Sequence, residues 1–218
     1  MNDDPPTAPP VQTAKRRRPP GQVRRGLIDA GLAMARAGGP DAVVLREAVR
    51  HVGVAPNAAY RHFKDRDALL HAVCVEAMRH MAQRMEAEVS RVSLGYGTTQ
   101  GAMARLTAIG VAYLDFAITE PGLFETAFAV PRHLDYATDD DAAGPGGRTP
   151  FQLLGDVLDE LAEAEVLPLE RRPQAEYVVW SGVHGMAMLV NQGPLRQLPR
   201  STVNHLIDLL LAFITRGL

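Results

Sequence analysis

The segment from Gly53 to Phe63, GVAPNAAYRHF, carries the side chains with the most specific chemistry in this chain. A glycine-valine turn leads to Pro56, and proline is favoured in the first turn of a helix because its missing N–H would have no intrahelical partner there. We expect Val54 and Phe63 to point inward, with Ala59 on the same helix face as Phe63. The opposite face then presents Asn57, Ala58, Arg61 and Lys64.

These residue types are the ones that read base edges in the major groove of DNA. Asparagine pairs with adenine, arginine pairs with guanine, and a small apolar side chain contacts the thymine methyl group. Tyr60 and His62 are better placed for phosphate oxygens, which orient a protein without reading sequence. The predicted DNA-binding residues of the segment and its flanking helices are Arg46, Pro56, Asn57, Ala58, Tyr60, Arg61, His62, Lys64 and Arg66.

Three short helices are predicted to position this surface. Apolar residues at three- and four-residue spacing indicate a helix over 22–37, which Gly38-Gly39-Pro40 ends. A second helix is predicted over 45–52, closed by Gly53, and a third begins at Pro56. Two short helices joined by a turn that contains glycine form a helix-turn-helix.

The rest of the chain is also predicted to be helical. A long helix over 66–91 has an apolar stripe that includes Met81 and Met85, and further helices are predicted over 99–118, 121–129, 150–166, 172–192 and 200–216. Residues 131–149, rich in Asp, Gly and Pro, are predicted to form a mobile loop. No alternating strand pattern is present, so the predicted fold is all-α. The predicted units are a disordered, basic and proline-rich arm over 1–21, a helix-turn-helix domain over 22–66 and a larger helical body over 67–218.

Charge divides the chain in the same way. Residues 11–66 contain 12 Lys or Arg against 4 Asp or Glu, whereas residues 67–218 contain 11 against 19. A basic front part joined to an acidic rear part favours a polyanion-binding module attached to a second unit. The basic arm, Lys15, Arg16, Arg17 and Arg18, is predicted to contact the minor groove or phosphates, and the alternative is a solvated tail.

Several function classes are disfavoured by the sequence. No apolar run approaches the roughly 18 residues of a membrane span, and no secretory signal is recognisable, so a cytoplasmic protein without membrane partners is expected. The lone Cys74 falls in an apolar run and is predicted to be a core thiol. Because no catalytic motif, phosphate loop or metal-ligand spacing occurs, we expect no enzyme activity, no cofactor and no metal.

The stretch from Leu45 to Leu70, LREAVRHVGVAPNAAYRHFKDRDALL, resembles the DNA-binding signature of the TetR family of transcriptional regulators. Gly53, Val54, Tyr60, His62, Phe63, Arg66 and Leu69 match in register. Several positions depart from the family pattern. Arg66 replaces a common lysine, and Ala58-Ala59 is smaller than usual, which leaves the base preference open. Ala55 replaces the usual Ser or Thr that caps the third helix, which removes a contribution of about 1 kcal/mol, and Val44 replaces a hydroxyl residue before the second helix.

The rear part resembles the regulatory domain of one TetR subgroup, named for a Trp-His-Gly signature. The segments YVVWSGVHGMAM (177–188) and TEPGLFETAF (119–128) carry this resemblance, with Trp180, His184 and Gly185 in the signature positions. It implies a homodimer in which the last two helices pack against their copies, with Leu206, Leu209, Leu210 and Phe213 on the apolar face. Two recognition helices spaced about 34 to 36 Å apart would read a palindromic operator in double-stranded DNA.

The resemblance also implies a small-molecule effector. Apolar and aromatic residues of the body are predicted to line its cavity, namely Tyr113, Phe116, Phe124, Phe128, Tyr177, Trp180, His184 and Met188. A mostly apolar or aromatic ligand would then release the protein, as a repressor, from its operator. The alternative is a DNA-binding dimer without a ligand, either constitutive or controlled by a partner, and its helical body would contain no cavity.

Overall fold

The computed structural model of the chain describes residues 20–129 and 139–217. This part of the chain contains nine α-helices, three short 3-10 turns and no strand, which confirms the all-α prediction. The helices are α1 (Pro20–Gly38), α2 (Leu45–Val52), α3 (Pro56–Tyr60), α4 (Arg66–Ser90), α5 (Thr99–Thr119), α6 (Pro121–Ala127), α7 (Pro150–Glu163), α8 (Ala175–Asn191) and α9 (Arg200–Gly217).

The first three helices form a small unit around a shared apolar core. Gly53 ends α2 in the left-handed conformation, with φ of 72°, and its N–H bonds to the carbonyl of Val49. Val44 and Ala55 lack a side-chain acceptor and, as predicted, neither caps its helix through a side chain. Pro56 occupies the first turn of α3.

The third helix is shorter than the sequence suggested. It ends at Tyr60, and the amides of His62 and Phe63 both bond to the carbonyl of Ala59. Arg61 and Lys64 therefore project from the turn that follows α3 and not from the helix itself. Ala59 and Phe63 are buried, as predicted, so this turn is held against the core.

Helix α4 joins the small unit to the body. Asp65 caps it by accepting a hydrogen bond from the amide of Ala68 at 2.8 Å. The predicted apolar stripe, Leu69, Val73, Ala77, Met81 and Met85, is buried along the whole helix. One continuous helix therefore contacts both parts of the protein.

The body is arranged around α5, which packs against α4, α6, α7, α8 and α9. By length and composition α5 could cross a membrane, but 61% of its most apolar window is buried inside the helical body, as in the core helix of a globular domain. Its buried Arg105 pairs with buried Glu160 of α7, with Nε lying 2.7 Å from a carboxylate oxygen. Gly97 donates its amide to the same carboxylate, which fixes the turn before α5.

The described part of the predicted loop over 131–149 is anchored to the body. Residues 139–149 include a 3-10 turn, Asp140–Ala142, that packs on α4. Arg79 donates to the carbonyl of Asp141, and the amide of Gly146 bonds to the carboxylate of Glu86. These contacts involve side chains distant in sequence, so residue composition alone did not reveal them. The remainder of the predicted loop, up to residue 138, lies outside the described residues.

Candidate functional site

The α3 surface consists of the exposed residues of α3 and the turn that follows it. Pro56, Asn57, Tyr60, Arg61 and Lys64 are all exposed. Ala58 and His62 are half-buried beside them, and Arg46 is exposed on the neighbouring α2. The predicted DNA-binding residues of α3 thus lie on one side of the unit, opposite the buried Ala59 and Phe63.

Arg66 differs from the other predicted DNA-binding residues. Its guanidinium donates to the carbonyl of Val43 at 2.8 Å and to the carbonyl of Pro40 at 2.7 Å. The side chain therefore ties the start of α4 to the link between α1 and α2. This geometry gives Arg66 a positioning role, in which two of its five N–H groups donate to these carbonyls. The basic arm Lys15–Arg18 lies outside the described residues.

A buried carboxylate joins α1 to α4. Glu76 is 7% exposed, and its oxygens lie 3.2 Å from Arg25 of α1, 3.3 Å from Arg79 and 3.7 Å from His80. Burial lowers the pKa of His80, against the opposing effect of the nearby Glu76 carboxylate. The two arginines therefore supply the positive charge that this carboxylate needs inside the protein.

The other end of α1 rests on α6. A Cβ atom at Gly122 would lie 2.2 Å from the carbonyl oxygen of Ala35, so the two backbones meet with no room for a side chain. Arg36 also reaches Glu120 at 3.1 Å, and Arg84 of α4 lies 3.6 Å from the same carboxylate. Helix α1 is thus held by α4 along its length and by α6 at its C-terminal end.

A cavity of about 60 Å³ lies within the body. Its walls come from α4, α5, α7, α8 and α9 and from Phe128, which follows α6. The residues that line it are Met78, Met81, Met85, Leu106, Thr107, Ile109, Gly110, Tyr113, Phe128, Pro150, Phe151, Leu154, Val179, Trp180, Val183, Leu211, Ile214 and Thr215. The lining is almost entirely apolar, as is usual for sites that bind small organic molecules.

Three of the predicted ligand-binding residues line this cavity, namely Tyr113, Phe128 and Trp180. His184 lies beside them, with Nδ1 2.8 Å from the Tyr113 hydroxyl, which also accepts a hydrogen bond from Trp180 Nε1 at 3.0 Å. The ring of Phe128 packs edge-on to His184 with a centroid distance of 4.8 Å. Burial among these rings lowers the pKa of His184, so the imidazole is neutral at pH 7.

The other four predicted ligand-binding residues do not line the cavity. Phe116 and Phe124 are almost completely buried and pack in the core. Tyr177 and Met188 are exposed on the outer side of α8, because the helical repeat turns Val179, Trp180 and Val183 inward instead.

The sequence prediction missed most of the cavity wall. Met81 and Met85 were recognised as members of the buried stripe of α4, but the same pattern describes a core residue and a cavity wall equally well. For Phe151, Thr107 and Thr215 the sequence predicted a position in a helix but no contact with a cavity. The packing of the helices brings these three residues to the cavity wall.

An exposed apolar face covers the outer sides of α8 and α9. Val178 is 75% exposed and Phe213 is 78% exposed, and Leu209 and Leu189 are also exposed. Of the four α9 residues predicted to form an apolar face, Leu209 and Phe213 are exposed and Leu206 and Leu210 are half-buried. Large apolar side chains grouped in this way are typical of an interaction surface.

Comparisons with known proteins agree with this architecture. Residues 27–73 match the model of bacterial regulatory proteins of the tetR family, and residues 106–214 match a tetracyclin repressor-like C-terminal domain. No functionally curated protein matches the chain.

Solved structures also resemble the chain over nearly its whole length, and two of them are from Rhodococcus. A protein of unknown function from Rhodococcus sp. RHA1 is 23% identical, with 95% of this chain and 99% of that chain covered and a TM-score of 0.72. A tetR-family regulatory protein from Rhodococcus RHA1 is 15% identical, with coverages of 88% and 97% and a TM-score of 0.54. The family matches lie on the helix-turn-helix and on the body that holds the cavity, and the chain therefore belongs to the TetR family of bacterial transcription regulators, which bind DNA and are not enzymes.

Proposed function

We propose that this TetR-family regulator acts as a homodimer that reads a palindromic operator and is released from it by a small, mostly apolar or aromatic ligand. The observation that carries the proposal is the path of α4, which begins at the helix-turn-helix and lines the cavity through Met78, Met81 and Met85. A ligand that moves this wall would also move the recognition surfaces. The cavity favours this proposal over a regulator without a ligand.

The proposed DNA-binding domain comprises residues 22–66, and the regulatory and dimerisation domain comprises residues 67–218. Asn57, Ala58 and Arg61 are proposed to read base edges, because Asn57 and Arg61 are exposed on the α3 surface and Ala58 is half-buried beside them. Tyr60, His62, Lys64 and Arg46 are proposed to contact phosphates, and Pro56 starts the helix at the DNA surface. The arm Lys15–Arg18 is proposed to add contacts outside the major groove. A DNA-binding role implies that the protein acts in the cytoplasm.

A gel-shift titration against DNA from upstream of its own gene, at several salt concentrations, tests the DNA interface. Arg61→Ala is expected to weaken binding by about 1–3 kcal/mol and to relax base preference at one position. Lys64→Ala is expected to weaken binding to every DNA sequence similarly and to reduce the slope of the logarithm of the binding constant against the logarithm of salt concentration by about 1. Arg91→Ala is the matched control, since this exposed arginine lies at the opposite end of α4. Equal binding to every DNA sequence by the wild-type protein would overturn the operator proposal.

The dimer is proposed to form through the exposed faces of α8 and α9. Val178, Leu209 and Phe213 would be buried between the two copies, which supplies the apolar area that a stable interface needs. Phe213→Asp is expected to shift the protein to a monomer in size-exclusion chromatography while the helical circular dichroism signal is retained. The control is Arg216→Asp, which changes charge on the same helix without removing apolar surface. A dimer unaffected by Phe213→Asp would place the interface elsewhere.

The release mechanism requires that the ligand bind two conformations of the dimer with different affinity. A coupling free energy of about 1–3 kcal/mol would weaken DNA binding 5- to 150-fold. Thermal-shift screening against hydrophobic compounds identifies binders, and the gel shift then shows whether each binder releases DNA. Val183→Trp, which fills the cavity, is expected to abolish both responses. Binders that stabilise the protein but leave operator affinity unchanged would contradict ligand control.

A further inference from the structure

The described residues that line the cavity include no Asp, Glu, Lys, Arg or His. A charged ligand would lose its hydration on entry and would meet no opposite charge, and this loss is unfavourable by several kcal/mol in general. The aromatic rings do not form an open cage for a cation, since Phe128 and Phe151 are packed against His184 and Trp180 respectively in edge-on geometry. The described part of the lining therefore favours an uncharged molecule.

Polar groups of the aromatic residues in and beside the lining bond to one another. Trp180 Nε1 donates to the Tyr113 hydroxyl, and that hydroxyl is 2.8 Å from His184 Nδ1. The other polar side chains in the lining are Thr107 of α5 and Thr215 of α9. Thr107 is exposed and Thr215 is half-buried, whereas Met81 and Leu154 are buried, so the threonines lie at the outer end of the cavity.

Both threonine hydroxyl groups already donate their protons within their own helices. Thr107 Oγ1 donates to the carbonyl of Met103 at 3.0 Å, and Thr215 Oγ1 donates to the carbonyl of Leu211 at 3.0 Å. Each oxygen keeps acceptor capacity, and both residues line the cavity. A ligand group that donates a hydrogen bond can be accepted without breaking these helix contacts, whereas a group that only accepts cannot.

Size and adaptability limit the ligand further. A volume of about 60 Å³ exceeds the roughly 10–15 Å³ that one water molecule needs but is smaller than a benzene-binding cavity of about 150 Å³, so a ring-sized ligand requires the cavity to widen. Met78, Met81 and Met85 form one wall, and methionine side chains adapt their shape to irregular partners. We propose that the effector is an uncharged, mostly apolar molecule with one hydroxyl group, such as an alkylphenol, whose hydroxyl donates to Thr107 or Thr215. This proposal rests on the proposed function, because it assigns a ligand class to the same cavity.

Four compounds with the same alkylated ring test the ligand class. They are para-propylphenol, para-propylanisole, para-propylbenzoate and protonated para-propylbenzylamine, which differ in charge and in the ability to donate. Binding to the full-length protein is measured by calorimetry and by the fluorescence of Trp180, the single tryptophan of the chain, which lines the cavity. The phenol is expected to bind about three- to tenfold more tightly than the anisole. It is expected to bind at least about tenfold more tightly than either charged compound.

Isosteric variants test the role of the threonines. The double variant Thr107→Val with Thr215→Val keeps the shape of the lining and removes both hydroxyl groups, so phenol and anisole should then bind equally. The matched control, Thr107→Ser with Thr215→Ser, keeps both hydroxyl groups and should keep the preference for phenol. Thermal unfolding of each variant shows that it is folded before binding is measured.

The outcomes separate the ligand class from the regulatory function. The ligand class is overturned if the anisole, benzoate or benzylamine binds most tightly, or if none of the four compounds binds. It is also overturned if the valine double variant still prefers the phenol. Phenol preference that depends on the threonines supports the ligand class whether or not DNA is released. If the bound phenol leaves operator affinity unchanged in the gel shift, control of DNA binding by the cavity fails while the ligand class stands.

Discussion

Replacing Gly122 by alanine tests the contact between the DNA-binding unit and the body. A Cβ atom at this position would lie 2.2 Å from the carbonyl oxygen of Ala35 and 3.0 Å from that of Arg36. Both obstacles are backbone atoms near the end of α1, so no side-chain rotation can relieve them. The two helices must separate, and such overpacking typically reduces the free energy of unfolding by about 1–3 kcal/mol.

Thermal unfolding at one fixed protein concentration measures this effect. For a chain of this length, 1 kcal/mol corresponds to a change of about 2–4 °C in Tm, so Gly122→Ala is expected to lower Tm by about 2–12 °C. The concentration must be constant because a dimer is stabilised by its own association.

Gly21→Ala is a closely matched control for this experiment. Gly21 and Gly122 each follow a proline that starts a helix, but a Cβ atom at Gly21 would meet no heavy atom within 4 Å. Alanine at Gly21 is expected to leave stability unchanged or to raise it by up to about 1 kcal/mol. If Gly122→Ala unfolds at the wild-type temperature, the close approach of α1 and α6 is not rigid and the reasoning fails.

Three further substitutions test individual features of the fold. Glu160→Ala should lower the free energy of unfolding by about 3–5 kcal/mol in urea titrations, because it leaves the buried Arg105 without its carboxylate partner. The hydrogen bond from Arg105 holds the pKa of Glu160 below its ordinary value of 4.5. The stabilisation from this pair is therefore present above pH 4.5 and is lost as the pH falls through the lowered pKa. The stability of Glu160→Ala should lack this part of the pH dependence. Gly53→Ala should cost about 1–2 kcal/mol in thermal unfolding, since φ is 72° there. Arg66→Ala should cost about 1–2 kcal/mol by removing two hydrogen bonds to carbonyls, whereas Lys64→Ala should leave stability unchanged.

Local signals predicted the helix-turn-helix well. The bounds of α2 follow from its apolar side and from Gly53, and Pro56 marks the start of α3, because each signal acts within a few residues of the helix end. The C-terminal bound of α3 was not predicted. The amides of the residues after Tyr60 form the hydrogen bonds of a tight turn, which allows the Phe63 side chain to be buried. The burial of Phe63 depends on packing against α1, where Arg24 lies over the Phe63 ring.

The role of Arg66 could not be predicted from its neighbours in the sequence. Its partners are the carbonyls of Pro40 and Val43, in the link between α1 and α2. Every residue has a backbone carbonyl, so the residue types do not show which carbonyls accept a hydrogen bond from Arg66. The contact of Arg66 with DNA stays a prediction beside this structural role. The close contact at Gly122 was hidden for the same reason, since its partner is the main chain of α1.

The cavity shows the limit of periodicity most clearly. An apolar stripe predicts which side of a helix is buried, but it does not distinguish a side chain that meets another helix from one that borders a space. In α8 the same repeat places Trp180 against the cavity and Tyr177 on the outside, where its ring lies 5.3 Å from Phe151. The distinction requires the relative positions of five helices. Ligand chemistry is therefore best inferred from polar atoms whose partners are known, and in this cavity those atoms are the hydroxyl oxygens of Thr107 and Thr215.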